Sequence, residues 1–271
     1  MIQAMDRDGI IVTGKIEIIT ISDAVRLAEK GAELMHNAAK KAVARKDSFA
    51  VAVSGGSTPR AMHRLLSQEP YLSDMPWQKT HFFWVDERMV PFDHPDSNYG
   101  AAQKDLMSMI PIPADQVYPM PAMMRPEEGA DLYQAKLKTF FQDLGSLDPV
   151  FDLIILGIGT DGHTASLFPG QPSNQEADRW VLSVKGGQPD VFRLTLTYAV
   201  LNSARHILFL VSGDAKAAVV KTLIEDRHAQ LPAAKIQPLN GKMTWLLDQK
   251  AASLLNAETM ASFSVDGFEK K

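Results

Sequence analysis

Four short and largely apolar runs, at 49–53, 81–85, 151–156 and 206–211, recur along the chain with helix-patterned segments between them. A strand with one wet face alternates polar and apolar residues, whereas a strand covered on both faces is apolar throughout. The pattern therefore predicts an α/β chain: a mostly parallel, Rossmann-like sheet with helices on both faces. A first helix is predicted over 22–46, where Ala24, Leu27, Ala28, Gly31, Leu34, Met35, Ala38 and Ala42 recur at three- and four-residue steps, with Ser22 as N-cap. Further helices are expected near 98–109, 126–144 and 214–226. Residues 181–184 and 192–197 read as an added strand pair, and 243–247 with a helical stretch after Asp248 closes the fold. No repeat or composition break divides the 271 residues, so we read 1–271 as one domain, with terminal extensions of unknown role.

Composition narrows the function. Lys and Arg total 28 against 32 Asp and Glu, a formal net charge of −4. No global positive field is available for nonspecific nucleic-acid binding, and an anionic ligand would need a local basic pocket. The chain has no cysteine, which excludes disulfides, thiolate nucleophiles and iron–sulfur ligation and fits a reducing cytoplasm, the expected location. No apolar run approaches the ~20 residues that cross a bilayer, and the short run at 10–12 follows an acidic stretch unlike a secretory signal. Neither nucleic acid nor membrane is an expected partner. The oligomeric state stays open, a monomer included.

In an open parallel sheet the residues just after each strand converge on one edge. Four such loops carry polar groups. Ser54-Gly55-Gly56-Ser57-Thr58-Pro59 combines close backbone approach, hydroxyls and a helix start whose free N–H groups favour an anion. An ordinary strand-to-helix turn capped by Thr58 explains it equally well. Asp86-Glu87-Arg88, followed by Asp93, Asp96, Ser97, Asn98 and Tyr99, could position a sugar hydroxyl or phosphate, or be a solvated ion-pair cluster. The run 157–169 contains a literal G-x-G-x-x-G, but Pro169-Gly170 interrupts any following helix and the acid of a dinucleotide site is missing. What stands out there is His163 beside Asp161, an imidazole with an orienting carboxylate suited to a general base. Finally, Arg193 and the Lys216 of Ser212-Gly213-Asp214-Ala215-Lys216 can complete an anion pocket, although Asp190 offers Arg193 another partner. Motifs for a P-loop, a zincin and an α/β-hydrolase elbow are absent.

Taken together, Ser54-Gly-Gly-Ser-Thr-Pro59, Val85-Asp-Glu-Arg88, Gly157-Ile-Gly-Thr-Asp-Gly-His-Thr-Ala-Ser-Leu-Phe-Pro169, Arg193-Leu-Thr-Leu-Thr197, Leu201-Asn-Ser-Ala-Arg205 and Gly213-Asp-Ala-Lys216 resemble the glucosamine-6-phosphate isomerase/6-phosphogluconolactonase family, on its lactonase side, over about 22–257. The resemblance implies a fold like glucosamine-6-phosphate deaminase and ribose-5-phosphate isomerase. It implies hydrolysis of 6-phospho-D-glucono-1,5-lactone to 6-phospho-D-gluconate in the oxidative pentose phosphate pathway, without cofactor or metal. It assigns His163 as base and Ser54, Gly55, Gly56, Ser57, Thr58, Arg88, Arg193 and Lys216 to the phosphate; Asp161 is expected to hold the imidazole, and Asp86 and Gly159 are expected at the substrate site. Backbone N–H groups of the glycine loop are expected to meet the oxyanion. The rivals are a deaminase, in which a glutamate stands where this chain has Phe168, and a non-catalytic sugar-phosphate sensor.

Overall fold

The computed structural model describes residues 4–5, 11–12, 15–172 and 178–262. A short antiparallel pair, β1 (Ala4–Met5) with β2 (Ile11–Val12), precedes the main body. The central sheet comprises β3 (Lys15–Ile21), β4 (Phe49–Val53), β5 (Thr80–Trp84), β7 (Val117–Tyr118), β8 (Leu153–Leu156), β11 (His206–Val211) and β12 (Lys242–Asp248). They run parallel throughout, in the order β3-β12-β11-β8-β4-β5-β7. A second, antiparallel sheet has the order β6-β10-β9, from β6 (Asp86–Arg88), β9 (Val181–Gly186) and β10 (Val191–Leu196). The helices are α1 (Ala24–Lys46), α2 (Ser57–Leu66), α3 (Tyr71–Asp74), α4 (Asn98–Ala102), α5 (Pro126–Asp143), α6 (Tyr198–Asn202), α7 (Ala217–Glu225) and α8 (Ala257–Ser262).

The strands are apolar because both faces are covered. On β5, Phe82 meets His63 of α2 at 6.0 Å between ring centroids, while its neighbour Phe83 points the other way, stacks on Tyr118 at 4.2 Å and meets Phe140 of α5 at 4.9 Å. Alternate side chains thus feed two cores. α1 starts one residue later than the spacing implied. Asp23, and not Ser22, is the N-cap: its carboxylate accepts the amides of Val25 and Arg26 at 2.9 and 3.0 Å, and the Ser22 hydroxyl donates to it. At the other end Arg45 and Lys46 reach the buried Asp152 at 2.7 and 2.9 Å, and Asp152 also accepts the Ala50 amide at 2.9 Å. This carboxylate ties the end of α1 to the starts of β4 and β8.

Other differences are local. Residues 15–21, read from sequence as part of an extension, are the edge strand beside β12. The helix predicted over 98–109 is α4 continued by one π-helical turn, Gln103–Met107, and the stretch after Asp248 is a series of turns before α8.

From β4 the chain steps outward to β5 and β7, then returns to the other side of β4 to lay down β8, β11 and β12. Strand order therefore reverses between β4 and β8. The loops leaving these two strands diverge and open a crevice at the carboxyl edge. β6 follows β5 directly, and the Leu196 amide donates to Val85 O at 2.8 Å, so the antiparallel sheet stands over that same edge.

Candidate active site

The loop leaving β8 folds back on itself. The Gly159 amide donates to His163 O at 2.8 Å, the Gly162 amide to Gly159 O at 3.0 Å, and the Thr164 hydroxyl to Gly157 O at 2.9 Å. The coil brings Asp161 Oδ1 within 2.6 Å of His163 Nδ1, and the same oxygen accepts the His163 amide at 3.2 Å. Partial burial pushes the Asp161 carboxyl upward, but the hydrogen bonds and charge of His163 outweigh it and hold the group below its ordinary value. An ionised carboxylate only accepts, so Nδ1 carries the proton and the lone pair lies on Nε2. Gly159 permits this arrangement, since a Cβ there would overlap both His163 Nδ1 and Asp161 Oδ1. Of the glycine-loop amides expected to meet the oxyanion, those of Gly159 and Gly162 are engaged within the coil.

The antiparallel sheet supplies the cations. Arg88 and Arg193 are direct partners across the β6·β10 ladder. Arg193 is 4% exposed. Its Nε donates to Gly186 O at 2.9 Å, and one terminal nitrogen lies 3.4 Å from both Gln188 O and Pro189 O. Asp190 does not engage it and lies 3.7 Å from Lys185. Arg88 donates to Asp96 O and Asn98 Oδ1, each at 2.9 Å, and its buried Nε has no partner. Among the described residues neither arginine has a carboxylate oxygen within 4.0 Å. Burial depresses the Arg193 pKa, the charge of Asp86 opposes this, and Arg88 depresses it further.

Acidic neighbours are used structurally. Asp86 accepts the Ser166 hydroxyl at 2.7 Å and Asn98 Nδ2 at 3.3 Å. Glu87 is fully buried and accepts the amides of Arg88, Asn98 and Tyr99 and the Ser97 hydroxyl. Burial raises its pKa against those hydrogen bonds. It is the anchor of the 96–100 turn, not part of a solvated cluster.

These elements enclose a cavity of about 210 Å³ lined by Ser54, Gly55, Gly56, Asp86, Arg88, Gly159, His163, Arg193 and Lys216, all expected from sequence, together with Asn98, Gly157, Ile158 and Ala165. Ser54 spends its hydroxyl on Ile155 O, bridging β4 to β8. Ser57 and Thr58 lie on the first turn of α2, outside the cavity wall; the N-cap is Gly56, at φ +110°, and not Thr58, so no side chain closes that helix start. Lys216 reaches the cavity from the loop after β11. Burial lowers its pKa and the charge of Asp161 raises it, which places it on the dyad's side. Asp248 secures this loop, accepting the Gly213 amide at 3.0 Å and the Ser212 hydroxyl at 2.5 Å. Of the four lining residues that sequence reasoning did not assign to the ligand, Asn98 is the polar one. Its signal is steric: a Cβ on Gly55 would overlap Asn98 Oδ1, so this glycine and this asparagine require each other.

The model of the glucosamine-6-phosphate isomerases/6-phosphogluconolactonase family matches residues 22–245. The chain is 42% identical over 219 residues to a 6-phosphogluconolactonase of Synechocystis sp., covering 79% of this chain and 88% of that one. It is 40% identical over 241 residues to a probable chloroplastic 6-phosphogluconolactonase of Oryza sativa, covering 85% and 73%. The crystal structure of 6-phosphogluconolactonase from Thermotoga maritima superposes with a TM-score of 0.75 at 29% identity, over 86% of this chain and all of that one. The match over most of the chain shows that it belongs to the glucosamine-6-phosphate isomerase/6-phosphogluconolactonase family.

Proposed function

We propose that this chain, acting as one α/β lactonase domain in the cytoplasm, hydrolyses 6-phospho-D-glucono-1,5-lactone to 6-phospho-D-gluconate with His163 activating the water. The observation that carries the reading is a single cavity lined by the base His163 and by two arginines that are partners across a ladder, neither with a carboxylate oxygen within 4.0 Å among the described residues. A phosphate dianion is the partner such a pair lacks.

The chemistry follows from the parts. The lactone carbonyl is already electrophilic, so neither a covalent nucleophile nor a cofactor is required. With the phosphate held by Arg88 and Arg193, helped by the open start of α2, the ring lies toward His163. Nε2 takes a proton from water as its oxygen attacks C1, and Asp161 stabilises the imidazolium that forms. The tetrahedral intermediate collapses, the C1–ring oxygen bond breaks, and the proton passes from His163 to the departing oxygen. Lys216 contributes positive charge on the side where the C1 oxyanion develops. A ring-opening deaminase needs a further acid beside the histidine, and Phe168 occupies that place.

The test is hydrolysis of freshly prepared 6-phosphogluconolactone, with the spontaneous rate subtracted. Wild-type protein should accelerate the loss of lactone, and His163→Ala should reduce kcat by about 10²–10⁴-fold. A folded wild type without acceleration removes the lactonase reading.

A further inference from the structure

Phe168 is 6% exposed and lies between the two halves of the site. Its ring centroid is 4.9 Å from that of His163, tilted by 52°, and the Arg193 guanidinium carbon lies over the ring at 5.5 Å from the centroid. The turn between β9 and β10 presses both groups together. A Cβ on Gly187, at φ +84°, would stand 2.7 Å from an Arg193 nitrogen and 2.9 Å from Phe168 Cζ, and one on Gly186 would stand 3.2 Å from Phe168 Cδ2. The buried guanidinium is thus held between backbone carbonyls and an aromatic face.

We propose that Phe168 is a positioning and specificity residue: its ring holds Arg193 without neutralising it, keeping the charge available to the substrate phosphate, and the same ring packs the base His163 in register with that grip. The physical reason is a competition. A carboxylate beside Arg193 would supply a counter-ion and would have to be displaced by every incoming phosphate. An aromatic face attracts the cation through its quadrupole, carries no formal charge and offers no oxygen to displace. It stabilises a desolvated arginine in the empty site and leaves it competent for a dianion. No neutral aliphatic side chain of similar volume does this.

The inference rests on the phosphosugar reading of the cavity, so its test reads binding as well as turnover. The ring is fluorinated stepwise at position 168, which weakens its quadrupole with little change of shape. Phe168→Leu and Phe168→Tyr are made beside it, and each protein is checked by thermal melting. Calorimetry measures the affinity for 6-phosphogluconate, and steady-state assays compare 6-phosphogluconolactone with unphosphorylated gluconolactone. Affinity for 6-phosphogluconate should fall progressively along the fluorine series. Phe168→Leu should lose about tenfold in this affinity and in KM for the phosphorylated lactone, with less than about twofold change in KM for the unphosphorylated one. Phe168→Tyr should restore the phosphate preference. Equal rises in KM on both substrates, or an affinity indifferent to fluorination, would overturn the proposal. If Phe168→Leu does not fold, the shape-preserving fluorine series decides alone. Wild-type protein that binds 6-phosphogluconate without hydrolysing the lactone would sink the activity while leaving the role of Phe168 to be judged by the calorimetry.

Discussion

Arg88 and Arg193 stand directly opposite each other in the β6·β10 ladder, two cations at a register position where like charges are ordinarily unfavourable. An anion between them converts repulsion into a clamp. Replacing either arginine with alanine should therefore raise KM for 6-phosphogluconolactone by about 10–100-fold, the range of a charge-assisted hydrogen bond. KM for unphosphorylated gluconolactone should change little. Steady-state kinetics on both substrates checks this, and equal effects on the two would remove the phosphate role.

Gly159→Ala tests the close approach behind the dyad. The added methyl overlaps His163 Nδ1 and Asp161 Oδ1, so one of the two must move. Displacement of a base by about 1 Å costs on the order of 10²-fold in rate. We expect that loss in kcat with a melting temperature close to wild type; a fully active Gly159→Ala enzyme would show that the pair is not needed as built.

Asp161→Asn keeps the shape of the dyad and removes its charge. The Asn oxygen can still accept Nδ1–H, but it stabilises the imidazolium less, so kcat should fall at least about tenfold while KM holds. Because His163 holds the Asp161 carboxyl below its ordinary value of 3.8, protonation of Asp161 should limit wild-type activity only below that pH. A pH–rate profile of both proteins reads the two effects.

His63 makes acid stability measurable away from the active site. It is buried on α2 with neither ring nitrogen hydrogen-bonded, and burial lowers its pKa from 6.5 to about 4, with the charge of Asp105 opposing. The folded value lies below the unfolded one, so between them the unfolded chain binds the extra proton. Stability present above pH 6.5 is lost as pH falls toward 4. From pH 7 to pH 5 this amounts to about 2 kcal/mol. Urea denaturation at both pH values should show a smaller acid loss for His63→Met by about that amount. His206, lowered to about 3 by burial, titrates in both proteins and cancels from the comparison.

Much of the fold was legible because its signals are local. Phe49–Val53 is apolar along its whole length since helices cover both of its faces, and α1 shows in the three-and-four spacing that buries Leu27, Ala28 and Met35. The edge strand β3, at the end of the strand order among the described residues, escaped notice because its pattern is mixed, with Ile16 exposed and Ile18 buried. The order of the seven strands has no local signature at all, and it is this order that opens the crevice between β4 and β8.

The site divides in the same way. Residue types, loop positions and the short-range pairing of Asp161 with His163 could be read from the chain, because two residues of separation confine that pair to one turn whatever surrounds it. Pairings over long separations could not. That Arg193 faces Arg88 and that the Arg193 guanidinium lies over the Phe168 ring depend on an antiparallel sheet docked over the edge of a parallel one. The local chain carries the chemistry, and packing across a hundred residues decides which groups share a cavity, because distance in space between remote segments is set by the sheet and not by their order along the sequence.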